Sequence, residues 1–332
     1  MKKLSMLLVA LFFLMAFDLH AAEVKNTTFR QVGNRVQFTY DLIGDEADAE
    51  VDVTLTIQGK SYKASDLHLE GAFGKVRTGK GNTLWWNVLQ DFPRGLNAKV
   101  AWRIEAGGKV FTSPTLGAKF VLITAGTFQM GDSGKQHQVT ISRPFYIQTT
   151  EVTQGQWKKV MGSNPSNFSG CGDDCPVEKV SWNDVQDFIS KLNSMERTDK
   201  YRLPTEAQWE YAARSGGKAE EYAGTSSESS LGDYAWYSAN SGSKTHSVGQ
   251  KKPNGLGLYD MSGNVWEWVQ DWYGNYPSGS VTDHEGPSSG SFRVYRGGSW
   301  SNDARNCRSA ARHSNDPGSR SVSLGFRLLR TR

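Results

Sequence analysis

The stretch from Arg296 to Leu328 constrains this chain more than any other. It opens on an aromatic turn, Arg296-Gly297-Gly298-Ser299-Trp300, and closes on Leu324-Gly325-Phe326-Arg327-Leu328. Between these ends lie small polar residues broken by Arg305, Arg308, Arg312 and Arg320. A segment with so few large apolar groups cannot bury enough surface to offset its ordering entropy. Its order must come from the upstream chain, so the segment reads as a surface displayed on a scaffold.

The scaffold has room for two domains, since the chain has 332 residues. The net charge of +4 is small and the Lys and Arg residues are scattered, which argues against nucleic acid as a partner. The 11 Trp and 35 Gly suit a loop-rich fold held by buried aromatics. Met1 to Ala21 reads as a secretory signal, with Lys2 and Lys3, an apolar run from Leu4 to Phe17, and small residues at Ala21 and Ala22. The run is short for a membrane span, and no later stretch could cross a bilayer. A periplasmic or secreted protein is expected. In an oxidising compartment Cys171 and Cys175, in Cys-Gly-Asp-Asp-Cys, read as a disulfide rather than a metal site. Cys307 is left over, as a small buried hydrophobe or, alternatively, a reactive thiol.

Residues 24–106 alternate in the manner of short strands, as in Arg35 to Leu42 and Val51 to Ile57, with further strands at Trp85 to Val88 and Lys99 to Ile104. The spacing suggests an all-β sandwich of immunoglobulin type, serving as a spacer or docking domain. Residues 107–117 read as a linker, and 118–330 as an α+β domain. In that domain a strand pair precedes three helices. Thr153 with Gln156, Ser181, and Thr205 with Gln208 supply the start signals. The aromatics these helices carry read as core.

Four runs then point to a family: Gly126 to Gly131, Tyr201 to Arg214, Gly257 to Trp272 with its Gly-Asn-Val-Trp-Glu-Trp, and Arg296 to Trp300 leading to Gly325-Phe-Arg327. Together they resemble the formylglycine-generating enzyme (sulfatase-modifying factor) family over about Phe120 to Arg330. The resemblance implies a C-type-lectin-like fold whose C-terminal segment forms a surface. Active members oxidise a sulfatase cysteine with a copper ion held by two thiolates, a donor set that suits soft Cu(I). The first of those cysteines falls at Asn302 here, and Cys307 does not line up cleanly with the second. Copper is therefore not expected, and Cys307 is the one weak catalytic candidate. The resemblance also implies structural Ca²⁺, with Asn264 and Glu267 as oxygen ligands. The alternative is a turn-capping Asn264 and an Arg-paired Glu267. A second family site, at Asn240, lacks its acidic partner.

Within the last segment, positions such as Ser301, Asn302, Asp303, Ala311, His313, Ser314, Asn315, Asp316 and Ser319 carry residue types that an Asn codon reaches by changing adenines only. The pattern is similar to that of the variable proteins of diversity-generating retroelements; ordinary drift in a surface loop is the alternative. The expected function is ligand binding, to a protein or a carbohydrate, through Trp300, Ser301, Asn302, Asp303, Arg305, Arg312, His313, Asn315, Asp316 and Arg320. A formylglycine-generating oxidase or another protein-modifying enzyme remains the alternative, as does a structural partner in an envelope complex. The Arg residues could pair with Glu206, Glu210 and Glu267 or meet an anionic ligand.

Overall fold

The computed structural model describes residues 22–43, 48–58, 60–96, 100–107 and 110–332. The expected signal at 1–21 lies outside them. The chain divides into two compact units at Phe111/Thr112.

The first unit is all-β apart from short helical turns. Glu23–Val32, Arg35–Ile43, Gly79–Asn87 and Leu69–Gly71 form one antiparallel sheet in that order. Asp48–Ile57 centres another, pairing with Lys60–Lys63, Gly74–Arg77 and Val100–Gly107. Alternate residues of Arg35–Ile43 are buried, as a period of two on a half-buried sheet requires. Val36, Phe38, Leu84 and Trp86 share a core with Val53, Leu55, Val100 and Trp102. Two expectations need correction. The strand containing Trp85 and Trp86 ends at Asn87, and Val88–Asp91 turns helical; Asp91 there accepts the Trp86 indole N–H at 2.6 Å. The stretch read as a linker contains the strand Val110–Thr112.

In the second unit the helices Gln154–Met161, Trp182–Met195 and Glu206–Ala213 start where their capping residues stand. Thr153, Ser181 and Thr205 each form a capping box, which satisfies backbone donors the helix cannot. The third helix is buried on nearly every side. Ala207, Trp209, Tyr211 and Ala212 pack with Phe128, Met130, Val139, Ile141, Val269 and Val294.

A four-stranded sheet in the order Arg312–Asn315, Arg293–Arg296, Trp266–Trp272, Leu324–Phe326 carries the C-terminal segment. It enters antiparallel to Arg293–Arg296 and leaves parallel to Trp266–Trp272. Phe326 locks the exit, fully buried with ring centroids 5.4 Å from Phe188 and 6.0 Å from Trp157. Burying such a side chain contributes roughly 1.5–3 kcal/mol. The segment is thus tied at both ends by strands.

Candidate functional site

Register decides what each face of this sheet carries. Glu267 pairs with Arg296, and Arg296 with Arg312, so these three side chains share one face. Against it the helix Glu206–Ala213 presents Glu206, Trp209 and Glu210, spaced to lie on one side. Arg296 is fully buried. It donates to the Glu210 carboxylate and also to the backbone carbonyls of Ser309 (2.8 Å), Ala310 (2.9 Å) and Ala311 (2.8 Å). One guanidinium therefore pins the middle of a segment that has almost no apolar anchors of its own. Glu210 in turn accepts from the Gly131 N–H (2.9 Å) and Arg214 (2.8 Å).

Arg312 grips Glu206 with two bonds of 2.7 Å and lies over the rings of Tyr273 and Tyr276. Tyr276 donates its hydroxyl to the same Glu206 at 3.0 Å. Beside them, burial pushes the Asp271 carboxyl up to about 8, although one of its oxygens accepts the Glu206 N–H. Arg327 and Glu267 form a second buried pair, again with two bonds of 2.7 Å, and Trp209 adds its indole N–H at 2.8 Å. Next to this pair lie Glu151 and Asp260. Burial raises both carboxyls, Glu151 well above the usual range and Asp260 to about 6.

On the opposite face Trp268, Tyr295 and His313 lie in one register row, grading from buried through half-buried to exposed. Trp266 meets both Tyr295 and His313 edge-on, with centroids 5.1 and 5.0 Å away. Sequence reasoning missed Trp266 and Tyr295 as the floor of the displayed segment. The signal was present in the alternation of Arg293-Val-Tyr-Arg296.

The segment alternates sharply in exposure. Ser301, Asp303, Arg305, His313, Asn315, Asp316 and Arg320 are exposed, and Trp300, Asn302, Ala311, Ser314 and Ser319 are half-buried. Ala304, Cys307, Ser309 and Ala310 are buried between them. Two assignments change. Arg312 faces inward to Glu206 and is not available as a ligand contact. Arg320 is exposed but held bidentate by Asp184 at 2.7 and 2.8 Å. Arg308 is held the same way by Asp132. Among the described residues, Arg305 makes no ion pair. Trp300 is only a half-buried anchor, edge-on to Phe168 at 5.4 Å, with its indole N–H on the Val322 carbonyl.

Both oxygens of Asn302 are engaged as acceptors. Its amide oxygen accepts the Ser299 hydroxyl at 2.5 Å, and its carbonyl accepts the Ser238 N–H. Cys307 is fully buried against Tyr222, Leu231, Ala235 and Ala304, and a side chain at Gly298 would meet its sulfur at 2.7 Å. Burial pushes the thiol up to about 12, so the reactive thiolate is suppressed. Cys171 and Cys175 form a disulfide. Native protein should therefore resist iodoacetamide at neutral pH and take up a single label on denaturation without reductant. Rapid labelling of the folded protein would show that the thiol is accessible.

The expected calcium donors do not fit one ion. Both Glu267 oxygens are engaged by N–H donors, one of them a guanidinium, so a cation there would face Arg327. The Asn264 amide is engaged across the chain instead: with the residue in a left-handed backbone conformation (φ 55°), it accepts the His246 N–H and donates to the His246 carbonyl, 18 residues earlier. The Asn240 amide is spent on the turn it sits in, accepting the Tyr237 N–H and donating to the Ala235 carbonyl. Among the described residues, no group of three or more His, Cys, Asp or Glu is placed to hold a metal.

Residues 108–332 match the sulfatase-modifying factor enzyme 1-like domain. The formylglycine-generating enzyme of Streptomyces coelicolor is 34% identical over 251 residues, which is 70% of this chain and 74% of that protein. Among solved structures, Treponema denticola variable protein 1 superposes with a TM-score of 0.63 at 36% identity, over 68% of this chain and 99% of that one. PvdO from Pseudomonas aeruginosa gives 0.56 at 28% identity, over 67% and 98%. On the match of its whole second unit, this chain belongs to the sulfatase-modifying factor enzyme 1-like domain family.

Proposed function

We propose that the second unit is a non-catalytic binding module that presents the exposed residues of 301–323 to a ligand, on a scaffold fixed by buried ion pairs. One observation carries the reading: the exposed side chains of this segment contribute little to its own packing, while Arg296, beneath it, holds the backbone. The relation to a variable protein supports the same division between fixed frame and changeable surface. Arg308, Arg312 and Arg320 are paired within the protein, whereas Arg305 is exposed with no ion pair among the described residues, so the presented groups are hydroxyls, amides, an imidazole, the carboxylates of Asp303 and Asp316 and one guanidinium, a mixed polar surface that suits a protein or carbohydrate ligand. The chain acts outside the cytoplasm, a reading supported by the Met1 to Ala21 sequence and by the disulfide. The first unit, read as an immunoglobulin-like sandwich, is a spacer or docking domain.

Alanine at Ser301, Asn315 and Asp316, singly or together, tests the division; Asp303, which caps the turn Ala304–Cys307, and His313, which packs on Trp266, are left in place. Each change should shift unfolding free energy by no more than about 0.5 kcal/mol, as for surface positions away from buried networks. Losses of several kcal/mol would mean that the segment is part of the core and not a display.

A further inference from the structure

The segment 273–284 lies as a strap across the strand His137–Ile141 of the second unit. Val281 and Thr282 pair parallel with Val139 and Thr140, and the Asp283 N–H donates to the Thr140 carbonyl at 2.8 Å. The Asp283 carboxylate accepts the Ser142 N–H at 2.8 Å, and the Ser280 hydroxyl donates to Gln138 at 3.0 Å. At the other end the Gly274 carbonyl accepts from Arg312 at 2.8 Å, and Tyr276 donates to Glu206 at 3.0 Å. The strap therefore braces Arg312, the first residue of the strand Arg312–Asn315 in the displayed segment.

Under the strap His137 faces inward. It is 7% exposed, and neither ring nitrogen has a hydrogen-bond partner among the described residues. Its ring lies against Tyr276 with centroids 4.7 Å apart, and His284 meets it edge-on at 6.3 Å. Burying a polar ring without partners is costly, and burying it charged is far more so. The charged and titratable groups that face it are Glu206 and Glu210 from the helix Glu206–Ala213, Arg312 from its strand, and Tyr276 and His284 from the strap. Both glutamates are already engaged, Glu206 by Arg312 and Glu210 by Arg296 and Arg214. An imidazolium here would gain no carboxylate of its own and would meet Arg312 and a protonated His284 as like charges. Burial first, and His284 and Arg312 after it, hold His137 below its ordinary value of 6.5, and burial does the same for His284.

We propose that His137 and His284 form a proton-operated latch: neutral, they let the strap close; charged, they release it, and with it the brace on Arg312. A histidine depressed in the folded state contributes stability that is present above about pH 6.5 and is lost as pH falls below that value. Asp271, beyond Glu206, titrates in the opposite sense, because burial raises its carboxyl and so favours the folded state at low pH. Acid thus loosens the displayed segment from beneath without unfolding the unit.

Backbone hydrogen exchange of the full chain, read by mass spectrometry and corrected for the intrinsic pH dependence of exchange, tests this. Each proton taken up on opening shifts the equilibrium by up to about tenfold per pH unit, so protection of 273–284 should fall at least about tenfold between about pH 7.5 and about pH 5. The helix Glu206–Ala213 should keep its protection. His137→Phe retains a ring against Tyr276 and cannot charge, so it should abolish most of the fall; a melting temperature equal to the parent's near neutral pH establishes that it is folded. His284→Gln, at a half-buried position, should reduce the fall by a smaller amount and decides the matter where His137→Phe does not fold. His313→Gln, on the other face of the sheet, should leave it unchanged. The proposal is overturned if protection of 273–284 does not respond to pH, if the full response survives in His137→Phe or, where that variant does not fold, in His284→Gln, or if the helix loses protection to the same extent as the strap.

Discussion

Replacing Arg296 with Ala should cost about 3–5 kcal/mol, the penalty for removing one partner of a buried pair. Stabilities of native domains run to about 5–15 kcal/mol, so the second unit would be left marginal or unfolded. The loss has two parts. Glu210 remains buried with Arg214 as its one remaining ion-pair partner among the described residues, and the carbonyls of Ser309, Ala310 and Ala311 lose the guanidinium that satisfies them. Arg296→Lys should recover little, because an ammonium cannot reach a carboxylate and several carbonyls in one planar fork. Arg305→Ala is the control: exposed and without an ion pair among the described residues, it should change stability by about 0.5 kcal/mol or less. Urea unfolding of the variants measures this, and an Arg296→Ala protein as stable as the parent would show that the segment is held in another way.

Arg327→Leu should cost a similar amount, about 3–5 kcal/mol near neutral pH, with a distinctive pH dependence. Removing the guanidinium leaves Glu267 buried beside Glu151 and Asp260. Burial and mutual repulsion hold Glu151 and Asp260 above the ordinary carboxylate range even with Arg327 present, and without it they should rise further. A carboxyl raised in the folded state binds its proton more tightly there than when unfolded. Its contribution is therefore retained at low pH and lost as pH rises from the ordinary carboxylate range through the folded value. The deficit should be smallest near about pH 5 and largest near about pH 8. A deficit independent of pH would mean that Arg327 acts through packing alone.

Local chemistry was legible in the sequence and long-range pairing was not. The capping boxes at Thr153, Ser181 and Thr205 are read within four residues, so the helix starts were visible. The alternation of Arg35 to Leu42 and the disulfide loop were visible for the same reason. Val88 misled because one β-branched residue continues a strand pattern that the fold ends, with Asp91 drawn under Trp86. Glu267 misled more seriously: Gly-Asn-Val-Trp-Glu-Trp offers oxygen donors to a cation, and only the fold shows that the cation is Arg327, 60 residues onward. The same holds for Arg312, whose partner Glu206 lies 106 residues earlier. The arginines stood out in the sequence as the segment's unusual feature, but which of them faced inward depended on strand register.

On the proposed reading the second unit presents a surface and holds no copper, because Asn302 stands where the family resemblance implies the first copper-binding sulfur and the Cys307 thiol is buried. The most direct test incubates the purified protein with Cu(I), oxygen and a cysteine-containing sulfatase peptide and follows the peptide by mass spectrometry. The account predicts unmodified cysteine, from the protein as it is and from Cys307→Ser alike. Formylglycine that appears with the first and is lost with the second would contradict it.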